Sequence, residues 1–137
     1  MRELIEQAIF ARKSAYAPYS GFYVGAALLC KDGTVFSGCN VENASYPAGN
    51  CAERTAIFKA VSEGYKEFAA IAIVGGKATE KETVSDYVTP CGICRQVMRE
   101  FCNPESFQII VAKSVEDYKS FSLNELLPES FGPEQLT

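Results

Sequence analysis

A nearly unbroken apolar run reads Phe22-Tyr-Val-Gly-Ala-Ala-Leu-Leu-Cys30. It is followed by a polar tetrad, Lys31-Asp-Gly-Thr34, and by a second run, Val35-Phe-Ser-Gly-Cys39. Buried strands often read as continuous apolar segments, and a short polar connection that contains glycine is typical of a tight turn. The stretch therefore predicts a β-hairpin with strands at Phe22–Cys30 and Val35–Cys39.

Three segments outside the hairpin have apolar residues at helical spacing, and each is followed by a residue that ends helices. The segments are residues 2 to about 15, 51–63 and 91–102, and the residues beyond them are Pro18, Gly64 and Pro104. Proline or glycine in such a place is typical of a helix C-terminus. Apolar runs at 68–74 and 107–112 follow the second and third helix and predict two more strands.

This order of elements predicts an α/β fold. A hairpin followed by two helix–strand connections implies a mixed sheet with helices on its faces. The segment 75–88 is polar, charged and without a period, and it predicts a surface loop. The apolar residues after Ser122 predict that the C-terminal segment packs on this subunit or on a neighbour.

The size and charge of the chain limit the class of protein. A chain of 137 residues, 47% of them hydrophobic, fits a single domain that spans residues 1–137. The net charge is −4 and no stretch has clustered Lys and Arg, so we expect no nucleic-acid partner. No segment resembles a signal peptide or approaches the ~20 apolar residues of a membrane span. We therefore expect a cytoplasmic protein with no membrane partner and a small neutral ligand.

The chain has six cysteines and no histidine. In a reducing compartment these cysteines are expected to be thiols or metal ligands rather than disulfides. Because histidine is missing, any metal chemistry must use thiolates and carboxylates.

Two short motifs, Cys51-Ala-Glu53 and Pro90-Cys-Gly-Ile-Cys94, have the spacing of a catalytic zinc site. Three thiolates hold the ion and leave a fourth position for water. Each motif opens a predicted helix, where free N–H groups and the helix dipole lower the pKa of a thiol. The alternative is a structural zinc site with three or four thiolates. A fourth thiolate would have to come from one of three cysteines in apolar patterns: Cys30, Cys39 and Cys102.

Two charged residues follow the ligand positions and bear on this choice. Glu53 is a candidate acid–base residue, although a glutamate in a first helical turn is also favoured by the helix dipole alone. Three thiolates would leave a negative centre that hinders deprotonation of water. We hypothesise that Arg54 offsets this charge by donating hydrogen bonds to the sulfurs, and Arg95 is in a similar position.

These motifs belong to a longer series that runs almost the whole length of the chain. The series reads Tyr16-Ala-Pro-Tyr-Ser20, Cys39-Asn-Val-Glu-Asn-Ala44, Cys51-Ala-Glu-Arg-Thr55, Pro90-Cys-Gly-Ile-Cys-Arg-Gln96 and Glu125-Leu-Leu-Pro128. With it the sequence resembles the small, homotetrameric cytidine deaminases. The zinc-deaminase signature has His-x-Glu with Pro-Cys-x-x-Cys, and Cys51 stands here in place of that histidine.

The resemblance implies a fold and a reaction. The fold is a three-layer α-β-α sandwich with a mixed central sheet of about five strands. The reaction is the hydrolytic deamination of free cytidine and deoxycytidine to uridine and deoxyuridine plus ammonia, in pyrimidine salvage. One zinc ion per subunit is held by Cys51, Cys91 and Cys94, Glu53 moves the protons, and a homotetramer completes each active site with residues of neighbouring subunits.

The resemblance also implies six substrate-binding residues: Phe22, Asn40, Glu42, Tyr46, Ala52 and Phe131. Asn40 and Glu42 hold the ribose 3′-hydroxyl, and their spacing places them on one side of an extended segment. Phe22 stacks on the base, the Ala52 backbone bonds it, and Tyr46 lies in the loop before the zinc helix. Phe131 resembles the aromatic residue that reaches a neighbouring active site. Without the resemblance, Phe22 reads as a core residue and the polar pair as ordinary strand-end residues.

Three functions remain open at this point. They are a free-nucleoside deaminase, a deaminase of another cytosine-bearing compound such as an antibiotic nucleoside or a nucleic acid, and a non-catalytic protein that zinc stabilises. The pair Asn40 and Glu42 favours the first, because it fits a nucleoside with a free 3′-hydroxyl. A polynucleotide deaminase is expected to have basic and aromatic surface for the flanking nucleotides, which this acidic chain does not show.

Overall fold

The structure, a computed structural model, describes residues 1–137 and is built on a sheet of five strands. The strands are β1 (Phe22–Cys30), β2 (Val35–Cys39), β3 (Phe68–Lys77), β4 (Gln108–Ala112) and β5 (Tyr118–Ser122). Their order across the sheet is β2-β1-β3-β4-β5. The pair β3 and β4 is parallel and the other neighbours are antiparallel. The predicted mixed sheet and its opening hairpin are confirmed.

Helices cover both faces of this sheet. They are α1 (Arg2–Ala11), α2 (Ala52–Ser62), α3 (Gly92–Phe101) and the short α4 (Leu123–Leu126). Alternate residues of a strand point to opposite faces. The face toward α1 therefore contains Ala27, Ala72 and Ile110, and the face toward α2 and α3 contains Leu28, Ile71 and Ile109. The predicted three-layer arrangement is confirmed, and none of its helices is long and apolar enough to cross a membrane.

Two elements differ from the sequence-based expectation. β5 was not among the predicted strands, because this edge strand is mostly exposed and has no apolar run. The first helix ends at Ala11 rather than near residue 15, because residues Arg12–Ser14 tighten into a 3₁₀ turn.

The predicted loop at 75–88 begins later than expected, because β3 continues to Lys77. Gly75, which was assigned to the loop, lies in the strand. A Cβ atom on Gly75 would lie 3.0 Å from the Phe22 ring and 3.2 Å from Val88 Cγ2. The glycine therefore lets the side chains of Phe22 and Val88 pack directly against β3. This contact lies at the end of the sheet, just before the motif Pro90–Cys94.

The rest of this loop is held by one buried arginine. Arg12 Nε donates to the Tyr23 carbonyl at 2.8 Å, and Nη2 donates to the Lys77 carbonyl at 3.1 Å. Nη1 donates to the carbonyls of Glu80 and Lys81, both at 2.8 Å. Buried polar groups must be paired, and this guanidinium pairs four loop and strand carbonyls at once. The loop is therefore on the surface, as predicted, but it has a fixed conformation.

The end of β2 lies unusually close to α2. A Cβ atom on Gly38 would lie 2.5 Å from the Ala56 nitrogen and 2.6 Å from the Ala52 oxygen. Glycine is therefore required for this approach of strand to helix. The approach brings the N-terminus of α2, which contains the first metal motif, next to the polar residues that follow β2.

The C-terminal segment packs on its own subunit, along α3. Arg95 Nη1 donates to the Leu126 carbonyl at 2.6 Å, and Gln96 Nε2 donates to the Phe131 carbonyl at 2.9 Å. Arg99 Nε donates to Ser130 Oγ at 2.8 Å. Of the two packing partners considered for this segment, the structure shows the first.

Candidate active site

Three cysteine thiols from two helix N-termini converge in the structure. Cys51 is the N-cap of α2, and Cys91 is the N-cap of α3 and accepts a hydrogen bond from the Cys94 amide at 3.4 Å. The sulfur atoms of Cys51, Cys91 and Cys94 all lie within 4.8 Å of one another. The structure thus brings together the three predicted ligands.

The spacing and chemistry of these thiols fit a zinc ion. The Sγ atoms of Cys51 and Cys91 are 3.8 Å apart. Two sulfurs bound to one tetrahedral zinc at about 2.3 Å are expected to lie about 3.8 Å apart, whereas a disulfide requires about 2.05 Å. The group has three thiols, since Cys30, Cys39 and Cys102 are free and lie outside it. No Cys₄ group is therefore formed, and a zinc ion held by these three thiols would have one coordination position left for water.

The pKa values of two thiols in the cluster shift in opposite directions. Hydrogen bonds from Cys94 and Arg54 lower the pKa of the Cys51 thiol to about 5. The same bond to Cys51, together with burial, raises the pKa of Cys94. A zinc ligand must be a thiolate, so a zinc ion held here would displace a proton from Cys94 and use the thiolate already favoured at Cys51.

Arg54 and Arg95 were both candidates for balancing the thiolate charge, and the structure shows that they bond to different partners. Arg54 Nη2 lies 3.3 Å from Cys51 Sγ, in hydrogen-bond contact. Arg95 instead donates to two backbone carbonyls, those of Pro90 and Leu126. The suggestion that Arg95 bonds the sulfurs is therefore wrong, because its guanidinium is engaged in holding the C-terminal segment.

Glu53 is buried beside this cluster, with 4% of its surface exposed. Burial raises the pKa of its carboxyl to about 7, and the negative charge of Cys51 acts in the same direction. The reading of Glu53 as a solvated first-turn glutamate does not fit this burial. A carboxyl with a pKa near neutrality is suited to accept and release protons.

A cleft of about 450 Å³ opens beside Cys51. It is lined by residues that precede β1, follow β2 and begin α2: Tyr19, Ser20, Asn40, Val41, Glu42, Asn43, Tyr46, Gly49, Asn50, Cys51 and Arg54. Three of the predicted substrate-binding residues, Asn40, Glu42 and Tyr46, therefore share one cavity with a predicted metal ligand. The charged members are Glu42 and Arg54, and the Arg54 guanidinium is bonded to Cys51.

The Asn40 side chain also makes two structural hydrogen bonds that its position in the sequence does not indicate. Its Oδ1 accepts from the Val24 amide at 2.9 Å, and its Nδ2 donates to the Phe22 carbonyl at 2.8 Å. The side chain thus cross-links the end of β2 to the start of β1. One Nδ2 hydrogen remains for another partner.

The other predicted substrate residues lie outside the cleft lining. Phe22 is 36% exposed at the start of β1, so it is not the core residue of the alternative reading. Ala52 is buried at the first position of α2, where backbone N–H groups lack helical acceptors. Phe131 is 56% exposed in the C-terminal segment. Within one chain, the structure does not bring Phe131 to the cleft.

Comparison with known proteins places this geometry in a family. The family described as "Cytidine and deoxycytidylate deaminase zinc-binding region" matches residues 1–110 of the chain. The chain belongs to this family. A cytidine deaminase of Halalkalibacterium halodurans is 50% identical over 133 residues, which cover 97% of this chain and 95% of the relative. One of Sporosarcina psychrophila is 47% identical over 137 residues, with 100% and 95% covered.

Solved structures of the family agree with the fold. The crystal structure of cytidine deaminase from Burkholderia pseudomallei has a TM-score of 0.83 and 50% identity, and covers 94% of this chain and 97% of its own. That of the Mycobacterium tuberculosis enzyme has a TM-score of 0.78 and 38% identity, with 95% of each chain covered. The resemblance stated from the motifs is confirmed, and the three-thiol cluster is positioned to hold the family's zinc ion.

Ser20 and Tyr19 are site residues that the sequence reasoning missed. They line the cleft and donate hydrogen bonds to Glu42. They belong to the block Tyr16-Ala-Pro-Tyr-Ser20, which contributed to the resemblance but received no role. The presence of Tyr19 and Ser20 in that block was the sequence signal that could have identified them as residues of the site.

Proposed function

We propose that this chain catalyses the zinc-dependent hydrolytic deamination of free cytidine and deoxycytidine to uridine and deoxyuridine, with release of ammonia. The proposal depends chiefly on one observation, the cleft that joins the thiol cluster to the pair Asn40 and Glu42. The family membership and the names of the relatives support the same reaction.

Cys51, Cys91 and Cys94 hold the zinc ion, which supplies the Lewis acidity that makes water a nucleophile at neutral pH. Glu53 moves the protons. Its carboxylate takes a proton from the attacking water, delivers it to N3 of the pyrimidine, and then assists protonation of the leaving amino group. A C4–O bond forms, the C4–N4 bond breaks, and ammonia leaves.

The sugar is held by Asn40 and Glu42, and the base by Phe22 and the Ala52 backbone. Asn40 has one free amide hydrogen and Glu42 has free acceptor capacity, so the pair matches a hydroxyl that both accepts and donates. Tyr46, which is 75% exposed beside the cleft, supplies apolar surface at its rim.

The charge of the cleft favours a nucleoside over a nucleotide. The family description also includes deoxycytidylate, whose phosphate carries negative charge. The cleft presents the Glu42 carboxylate, and its one guanidinium, that of Arg54, is bonded to Cys51. A phosphate would therefore meet a carboxylate with no unengaged cation to balance it.

The proposed function is tested with a panel of substrates. The purified zinc-loaded protein is incubated with cytidine, deoxycytidine and cytidine monophosphate, and the loss of ultraviolet absorbance is followed together with ammonia release. We expect turnover of both nucleosides and little of the nucleotide. Preference for the nucleotide, or no turnover of either nucleoside, would overturn the proposal.

We also propose that residues 1–137 act as one domain and assemble into a homotetramer in which Phe131 reaches a neighbouring active site. Support comes from large apolar side chains left exposed on one chain, among them Tyr46, Ile93 and Phe131 at 75%, 63% and 56%. Four chains of 15.0 kDa give a particle of about 60 kDa. Light scattering that finds only about 15 kDa would rule out the tetramer. A place in cytoplasmic pyrimidine salvage is part of the same proposal.

A further inference from the structure

The carboxylate of Glu42 is held by three hydrogen bonds from the short segment that precedes β1. Oε1 accepts from the Tyr19 amide at 3.0 Å and from the Ser20 amide at 3.1 Å. Oε2 accepts from the Ser20 hydroxyl at 2.5 Å. These contacts join residues more than twenty positions apart in the chain.

The Ser20 hydroxyl is itself fixed in orientation. Its oxygen accepts a hydrogen bond from the Phe22 amide at 3.1 Å, while its single hydrogen is donated to Glu42. A serine hydroxyl otherwise rotates to suit its surroundings. Here the amide on one side and the carboxylate on the other determine where the hydrogen lies. The hydroxyl thus connects the first residue of β1 to Glu42.

The three bonds leave unequal capacity on the two carboxylate oxygens. An ionised carboxylate has about four acceptor positions, two on each oxygen. Oε1 of Glu42 uses both of its positions on backbone amides, whereas Oε2 uses one on Ser20. The remaining position for a ligand is therefore on Oε2, the oxygen whose direction Ser20 controls. The bond from Ser20 also lowers the pKa of the Glu42 carboxyl, which keeps it ionised.

We infer that Ser20 is a positioning residue that directs Oε2 of Glu42 toward the sugar 3′-hydroxyl and so contributes to selectivity for nucleosides with that hydroxyl free. This inference rests on the proposed function. Ser20 and Glu42 both line the cleft, so the bond lies beside the ligand. Without the hydroxyl, the carboxylate is held through Oε1 alone and Oε2 is free to turn away, which weakens the bond to the sugar.

The test compares Ser20→Ala with wild type on two substrates, cytidine and 3′-deoxycytidine. For cytidine we expect kcat/KM to fall about tenfold, mainly through KM, because a hydrogen bond to a charged group is weakened. For 3′-deoxycytidine we expect almost no change, because this substrate lacks the hydroxyl that Oε2 receives. Ser20→Thr keeps a hydroxyl and should restore the cytidine value.

Ser45→Ala is the matched control, because Ser45 is an exposed serine near the same cleft whose side chain makes no hydrogen bond in the structure. It should leave both substrates unchanged. An equal fall of kcat/KM on both substrates, or no fall on cytidine, would overturn the inference while the deaminase function stands. A wild-type protein that turns over cytidine and 3′-deoxycytidine equally well would also overturn it. A wild type inactive on cytidine would overturn the proposed function and this inference together.

Discussion

Cys51 and Glu53 serve the same site only because the helix has not yet begun at Cys51. Residues two apart on a regular helix diverge by about 200°. Cys51 has extended backbone angles, φ −77° and ψ 156°, and α2 starts at Ala52. Because the backbone of Cys51 is not helical, its sulfur and the Glu53 carboxylate are not forced onto opposite faces of α2 and can lie at one site.

For single residues, the sequence predicted the metal-ligand side chains better than it predicted the hydrogen bonds between side chains and distant segments. The spacing of the cysteines indicated three thiols at two helix N-termini, and the structure brings those thiols together. The bonds from Ser20 to Glu42 and from Asn40 to β1 were not predictable, because they join segments whose proximity depends on the folded sheet. The expectation for Arg95 failed because its guanidinium bonds the nearby Pro90 carbonyl and the C-terminal segment instead of the sulfurs.

Glu53→Gln removes the proposed proton carrier and keeps the size of the side chain. Cytidine turnover should fall by about 10²- to 10⁴-fold. Zinc content should stay near one ion per chain, because the three thiols are unchanged. Steady-state kinetics with metal analysis on the same sample make the measurement. Glu63→Gln, at the exposed C-terminal end of α2, is the control. Retained activity in Glu53→Gln would refute the shuttle.

Arg54→Gln removes the positive charge that lies against Cys51 Sγ. The more negative thiolate site should then acidify water less well, so kcat should fall by about 10-fold or more while zinc stays bound. The measurement is kcat at equal zinc occupancy, with Arg2→Gln, an exposed arginine of α1, as the control. Unchanged kinetics would show that Arg54 does not offset the thiolate charge.

At the scale of elements, the site depends on two helices that begin beside the same end of the sheet. α2 is placed by its close approach to β2 at Gly38, and α3 follows a loop fixed by Arg12. The helices and buried strands were predictable because the spacing of apolar residues in the sequence indicates which type of element they form. The edge strand β5 was not predictable, because little of its surface is buried. The anchoring of the loop was not predictable either, because Arg12 bonds backbone carbonyls, which every residue has.

Gly38→Ala tests the approach of β2 to α2. The added methyl would meet backbone atoms of α2 at about 2.5 Å, so the elements must move apart. We expect the free energy of unfolding to fall by about 1–3 kcal/mol, as for other overpacked sites. Chemical denaturation measures it. Gly92→Ala, where a Cβ atom meets nothing within 4 Å, should be close to neutral. Equal stability of the two variants would contradict the close packing at Gly38.

At the scale of the whole molecule, the proposed zinc ion joins parts of the chain that are distant in sequence. Its proposed ligands come from the N-cap of α2 and from the start of α3, and Cys51 and Cys91 are forty residues apart. The start of α2 lines the cleft through Cys51 and Arg54, and α3 holds the C-terminal segment through Arg95, Gln96 and Arg99. The proposed metal site therefore lies between the helix that borders the cleft and the helix that holds the C-terminal segment.

The central claim is that three cysteines and Glu53 form a catalytic zinc site rather than a structural one. It is tested most directly by titrating the metal-depleted protein with zinc while ammonia release from cytidine is measured. We predict that activity rises in proportion to bound zinc and levels off at one ion per chain. Binding of one zinc ion per chain with no ammonia release, or a rate that does not depend on zinc, would contradict the claim.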